Sequence, residues 1–152
     1  MLGVDYGGRR IGLALSDASG TLARPWKTIH RVGNPSQVAR QLLEELTTLA
    51  ASGDSPVTAV VIGHPRRLNG EPTHQTAAVE EIAARLAALT HVPVILQDER
   101  LSTHEAEDLL ARSEKDWRKR KTRLDAMAAA VILQDYLDSR GAPGARQEET
   151  EP

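Results

Sequence analysis

The chain contains no cysteine and no phenylalanine. Without cysteine there is no disulfide framework and no thiolate metal site, which fits a reducing compartment. Two Trp and two Tyr are the whole aromatic complement. That is too few for the stacking platforms of single-strand nucleic-acid binders. No apolar run approaches the ~20 residues of a membrane span, and no charged-then-apolar segment of the signal-peptide kind opens the sequence. These absences predict a cytoplasmic protein with no membrane contact. The net charge of −2 gives no global pull towards nucleic acid, so any such binding must come from a local patch. What is present is 152 residues, enough for one domain that buries roughly 70% of its unfolded surface.

The first sixteen residues, MLGVDYGGRRIGLALS, read as a β-hairpin. Strands are predicted over 2–5 and 10–16, with Asp5 at the end of the first and Gly7 and Gly8 in the turn. Residues 21–29 read as a third strand, which Pro25 places at an edge because it lacks an N–H. Asn34–Pro35 forms an N-cap with proline at the first helical position, opening a helix to about Ala51. VTAVVI (57–62) is apolar throughout, the pattern of a strand covered on both faces. A Gly/Pro/Arg-rich loop (63–72) and a helix from about Thr73 to Leu89 follow. VPVIL (92–96) is another buried strand, ending in Asp98 and Glu99. Ser102 with Glu105 resembles a capping box opening a third helix to about Ala111. A charged stretch (112–123) precedes a last helix, Leu124 to about Leu137. Early hairpins followed by β-α-β units predict an α/β fold, a mixed five-stranded sheet with helices on both faces. The domain is expected over 1–138, with a disordered acidic tail over 139–152.

Three places put carboxylates where such a sheet can bring them together. Asp5 and the Asp98/Glu99 pair lie at strand ends, where α/β sheets build their sites. Asp125 is expected in the first turn of the last helix, on one face with Ala128, Ala129 and Ile132. Each acid alone has an ordinary explanation: a turn cap for Asp5, a salt bridge to Arg100 for Asp98 or Glu99, the helix dipole for Asp125. Together they repel. At about 5 Å and an effective dielectric of about 20, each ionised pair costs roughly 3 kcal/mol. A hard divalent cation offsets this, and oxygen-only ligands suit Mg²⁺ or Mn²⁺. Two such ions clamp the attacking and leaving oxygens of a phosphodiester.

Phosphate contacts are expected around these acids. Arg9 and Arg10 follow Asp5 in the hairpin turn, and Gly7 and Gly8 leave room for a phosphate backbone. The loop GHPRRLNG (63–70), with Arg66 and Arg67, is expected to offer backbone N–H groups at a helix N-terminus. It lacks the Lys-Ser/Thr ending of a P-loop. The stretch 111–123 holds seven basic residues, among them Lys119, Lys121 and Arg123, against Glu114 and Asp116. A basic segment beside an acidic centre suits a polyanion delivered to metals, though a solvated charged loop has the same composition. Trp117 within it reads as core. The histidines show no metal spacing and read as surface residues, with a place at the site as the lesser alternative for His74 at the start of its helix.

Four motifs in order resemble the YqgF/RuvX family, small bacterial proteins called Holliday junction resolvases or pre-16S ribosomal RNA nucleases. They are LGVDYGGRRIGLALSD, VIGHPRRLNGEPTHQT, VPVILQDERLSTHEAEDLL and KTRLDAMAAAVILQDYL. The match runs to about Asp138. The resemblance implies an RNase H-like fold and metal-dependent phosphodiester cleavage. It also implies that Asp5, Glu99 and Asp125 bind the metals. The Pro-Arg-Arg run of the second loop and the acidic tail depart from the family's usual pattern. The expected substrate is pre-rRNA or branched DNA. Resolving a junction calls for a two-fold homodimer, and RNA processing does not. The competing readings are a non-catalytic nucleic-acid binder of the same fold and an actin-like phosphotransferase. The latter needs a second phosphate hairpin that this chain lacks.

Overall fold

The computed structural model describes residues 1–52, 56–100 and 117–141; for 100, 117–123 and 141 it describes the backbone alone. The elements in chain order are β1 (Leu2–Tyr6), β2 (Arg10–Ser16), β3 (Ala23–His30), α1 (Pro35–Ala51), β4 (Val60–Arg66), α2 (Thr76–Leu89), β5 (Val94–Arg100) and α3 (Trp117–Gly141). The five strands form one sheet in the order β3-β2-β1-β4-β5. The first three pair antiparallel, and β4 joins β1 and β5 in parallel. This is the RNase H-like topology that the motifs imply, a mixed sheet with helices on both faces.

Alternation along the strands decides which residues meet which helices. Leu2, Val4, Tyr6, Ile11, Leu13, Val60 and Ile62 point to one side, where they pack with Val38 and Leu42 of α1 and Val79, Ile82 and Leu86 of α2. On the other side Ala14 and Val61 pack with Ala129, Ile132, Leu133 and Leu137 of α3. The N-terminus of α1 is as predicted: Asn34 caps it in a reciprocal capping box with Gln37, and Pro35 opens it. β3 is the edge strand that Pro25 requires, with an irregularity opposite Leu13 and Ala14. No helix among the described residues is long and apolar enough to cross a membrane.

Several boundaries differ from the sequence expectation. β4 runs on through Gly63, His64, Pro65 and Arg66, expected as loop, because the parallel pairing with β5 continues from Val60 opposite Val94 to Arg66 opposite Arg100. Asp98 and Glu99 therefore lie among the last residues of β5, as expected, with the strand running past 92–96 to Arg100. α2 begins at Thr76, not Thr73. Thr73 forms a turn instead, its N–H donating to Thr76 Oγ1 at 2.7 Å. α3 begins at Trp117, so Asp125 stands in its third turn and the dipole explanation for that acid fails. The charged segment extends the helix because its Lys and Arg residues are good helix formers. α3 also passes Ser139 and ends at Gly141. The expected helix over 102–111 and the rest of the tail lie outside the described residues.

Candidate active site

Asp5 sits opposite Gly12 in the β1–β2 ladder. Gly12 is where α3 touches the sheet: a Cβ built there would stand 1.8 Å from the backbone oxygen of Asp125. No side chain fits in that gap. The helix backbone therefore rests directly on β2, and Asp125 arrives beside Asp5. The same device recurs along α3. A Cβ on Gly3 would meet Leu133 Cβ at 2.8 Å, and one on Gly63 would meet Ile132 Cδ1 at 2.6 Å. The stripe of small residues predicted on α3 is matched by glycines beneath it.

Register also separates Asp98 from Glu99. Glu99 pairs with Pro65, two residues from Gly63 and on the same face. Its Oε2 would lie 2.6 Å from a Cβ on Gly63, so Glu99 occupies the layer between the sheet and α3. Asp98 pairs with His64 on the other face. There the His64 ring meets Glu80 at 3.1 Å. Asp5, Glu99 and Asp125 thus share the α3 face at the carboxyl ends of the parallel strands, and Asp98 does not.

The electrostatics link the three. Burial, reinforced by the Asp125 charge, pushes the Asp5 carboxyl up to about 6. Burial, then the charges of Asp5 and Asp135, pushes Glu99 up to about 8. Asp135 is itself raised, by burial and by Asp138. Asp135 was not foreseen. The signal was available, since it follows Asp125, Ala128 and Ile132 on one helical stripe. Asp125 meets a cation, Arg10, whose Nε lies 3.1 Å from Oδ2.

These residues suit a hard divalent ion by donor chemistry. All are carboxylates, and two are desolvated within reach of each other's charge. Among the described residues no three His, Asp or Glu side chains are spaced to hold a metal as they stand. Asp125 is turned to Arg10 and Glu99 is folded over Gly63. Closing on an ion requires the carboxylates to turn from these partners. A cleft of about 1010 Å³ lined by Met1, Ser16, Asp17 and Arg24 contains none of the three acids.

The basic residues divide. Arg9 is exposed in the hairpin turn. Arg10 lies on Asp125 rather than open to a phosphate. Arg66 belongs to β4 and donates from Nη1 to the Gly70 carbonyl at 3.0 Å. Arg67 is exposed. Its loop offers no amide cradle at residues 67, 70 and 71: Arg67 N–H donates to the Glu71 carbonyl, Gly70 N–H to the Arg67 carbonyl, and Glu71 N–H to Asn69 Oδ1. Lys119, Lys121 and Arg123 lie on the first two turns of α3, and their side chains are outside the described residues. His74 is exposed. Gly7 serves the turn, since a Cβ there would meet the Arg10 carbonyl at 2.6 Å, whereas Gly8 faces open space. Arg31, also missed, donates to Tyr6 Oη at 2.6 Å and to the Gly7 carbonyl at 3.3 Å, bracing the turn that follows Asp5. No local pattern marks it, because the contact spans 25 residues.

The topology and the acids on its α3 face define an RNase H-like domain with an acidic centre. The chain belongs to the RuvX family, whose model, described as a Holliday junction resolvase, matches residues 1–139. It is 38% identical over 140 residues to a protein of Protochlamydia amoebophila, covering 92% of this chain and 93% of that one. It is 42% identical over 148 residues to one of a Nocardioides species, covering 95% and 90%. Both carry the name "Putative pre-16S rRNA nuclease". Among solved structures it is similar to T. thermophilus RuvC in complex with a Holliday junction substrate, at 16% identity and a TM-score of 0.48 over 93% of this chain and 94% of that one.

Proposed function

We propose that this chain is a divalent-metal-dependent endonuclease acting on structured nucleic acid, with Asp5, Glu99 and Asp125 as ligands for Mg²⁺ or Mn²⁺. The observation that carries this reading is the convergence of three acids from β1, β5 and α3 on one face, two of them partly buried and raised by desolvation and then by a neighbouring carboxylate. Bound ions supply Lewis acidity, an activated water and, where two are held, a clamp on both oxygens of the displacement. The protein's own part is to hold the carboxylates on strands and a packed helix, and to bring a phosphate backbone to them. Arg9 and Arg67 are exposed at that edge, and Lys119, Lys121 and Arg123 lie N-terminal to Asp125 on α3. These are the proposed backbone contacts, with Arg66 shaping the turn that carries Arg67.

Two substrates follow from the names of the relatives and the family: the 5′ end of precursor 16S rRNA and a four-way DNA junction. Incubating both with the native chain in Mg²⁺ and in Mn²⁺, beside Asp5→Asn, tests the reading. Metal-dependent cleavage of either is expected. The variant should lose more than about 100-fold, since it neutralises a ligand of the catalytic ion. Cleavage of neither substrate, or equal cleavage by the variant, overturns the proposal. Paired symmetric cuts in the junction would call for a homodimer, which a mass measurement checks.

A further inference from the structure

The geometry points to Arg10 as the counter-ion that holds Asp125 while no divalent ion is bound, so that the centre fills only by displacing it. This rests on the metal-site reading above. Arg10 is the first residue of β2, two positions before Gly12 and on the same face. Because Gly12 lets the backbone of α3 rest on β2, Asp125 comes within reach of that guanidinium. The contact is Nε to Oδ2 at 3.1 Å, and each side chain is about a quarter exposed, 25% and 26%. Among the described residues neither Asp5 nor Glu99 has an ion-pair partner, so Arg10 neutralises one acid of three.

Two physical consequences follow. An oxygen accepting from Arg10 Nε has that lone pair engaged and cannot give it to a metal. A guanidinium at contact distance from a ligand also repels an incoming dication. The pair is about a quarter open to water, so solvent weakens it and it can exchange. Arg10 therefore acts as a positioning residue that raises the metal concentration at which the centre loads. It does not touch the reacting atoms in this role. A purely structural arginine would have the opposite signature, since its loss would loosen Asp125 and weaken metal binding.

The test uses the full chain stripped of metal. Mn²⁺ is titrated calorimetrically into the native protein and into Arg10→Gln. The variant should bind about threefold tighter or more, as a partly exposed ion pair and a repulsive charge are both removed. In the native protein the Arg10 ¹⁵Nε–H resonance, assigned by its loss in Arg10→Lys, should shift on adding Mg²⁺. It should reach half its change at the midpoint of a calorimetric Mg²⁺ titration. Native binding with equal or weaker binding by Arg10→Gln overturns the counter-ion role and leaves the metal site standing. An unmoved Arg10 resonance does the same, and decides alone if Arg10→Gln fails to fold. No binding of Mn²⁺ or Mg²⁺ to the native chain overturns both.

Discussion

The two faces of the sheet are made of different material. The α1/α2 face carries Leu2, Val4, Ile11, Leu13, Val60 and Ile62, each with at most 1% of its surface exposed. The α3 face carries Gly3, Asp5, Gly12, Ala14, Val61 and Gly63, with Glu99 folded in. The first face buries large side chains, the main source of folding energy. The second gives up side-chain volume, and the helix backbone comes down onto the strands. Close approach is what turns three acids far apart in sequence into one cluster. One face holds the sheet together and the other sets the distances at the site.

That division can be broken most forcefully at Gly12. Gly12→Val places atoms where the Asp125 carbonyl stands and lifts α3 from β2. Nuclease assays should show a loss of about 100-fold or more, the scale expected from a misplacement of about 1 Å. If Gly12→Val cleaves normally, the close contact does not set the site. On the other face Leu86 is fully buried. Leu86→Ala should cost about 2–5 kcal/mol in urea unfolding, yet cleavage per folded molecule should stay within about twofold. A large fall in that specific activity would mean that the two faces are not separable.

The smallest expected effect is on pH dependence. Glu99 and Asp5 are both raised in the folded state, to about 8 and about 6 from ordinary values of 4.5 and 3.8. Folded protein then holds protons that unfolded chain releases. Their contribution is fully present below the ordinary values and is lost as pH rises to about 8. Metal-free protein should therefore be less stable at pH 8.5 than at pH 5, with the loss complete once pH passes about 8. Glu99→Gln should flatten the curve, which thermal unfolding across pH would show. A metal-free protein that gains stability across that range would contradict the burial of these acids.

Much of this was legible in the sequence, and the reasons for the rest are physical. Asn34–Pro35 marked α1 because caps are local chemistry. Pro25 marked the edge strand because the missing N–H is a local fact too. The C-terminal half of β4 was hidden: Gly63, His64, Pro65 and Arg66 have loop composition, and only pairing with β5 makes them a strand. The start of α3 was hidden because residues 118–123 carry no apolar stripe. Asp5 and Asp125 could be named from motifs. The residues alone left Asp98 and Glu99 open until the register opposite Gly63 and Pro65 put Glu99 on the α3 face. The glycines at 12 and 63 have no meaning until a helix lies on them. Arg10 looked like a phosphate contact because its partner stands 115 positions along the chain.

If the proposed function holds, the α3 face brings Asp5, Glu99 and Asp125 to a single metal centre. The most direct measurement is anomalous diffraction from crystals of the native chain grown with Mn²⁺. An anomalous peak is expected among the carboxylate oxygens of Asp5, Glu99 and Asp125, with Arg10 moved off Asp125. A peak elsewhere in the molecule, or none at millimolar Mn²⁺, would contradict it.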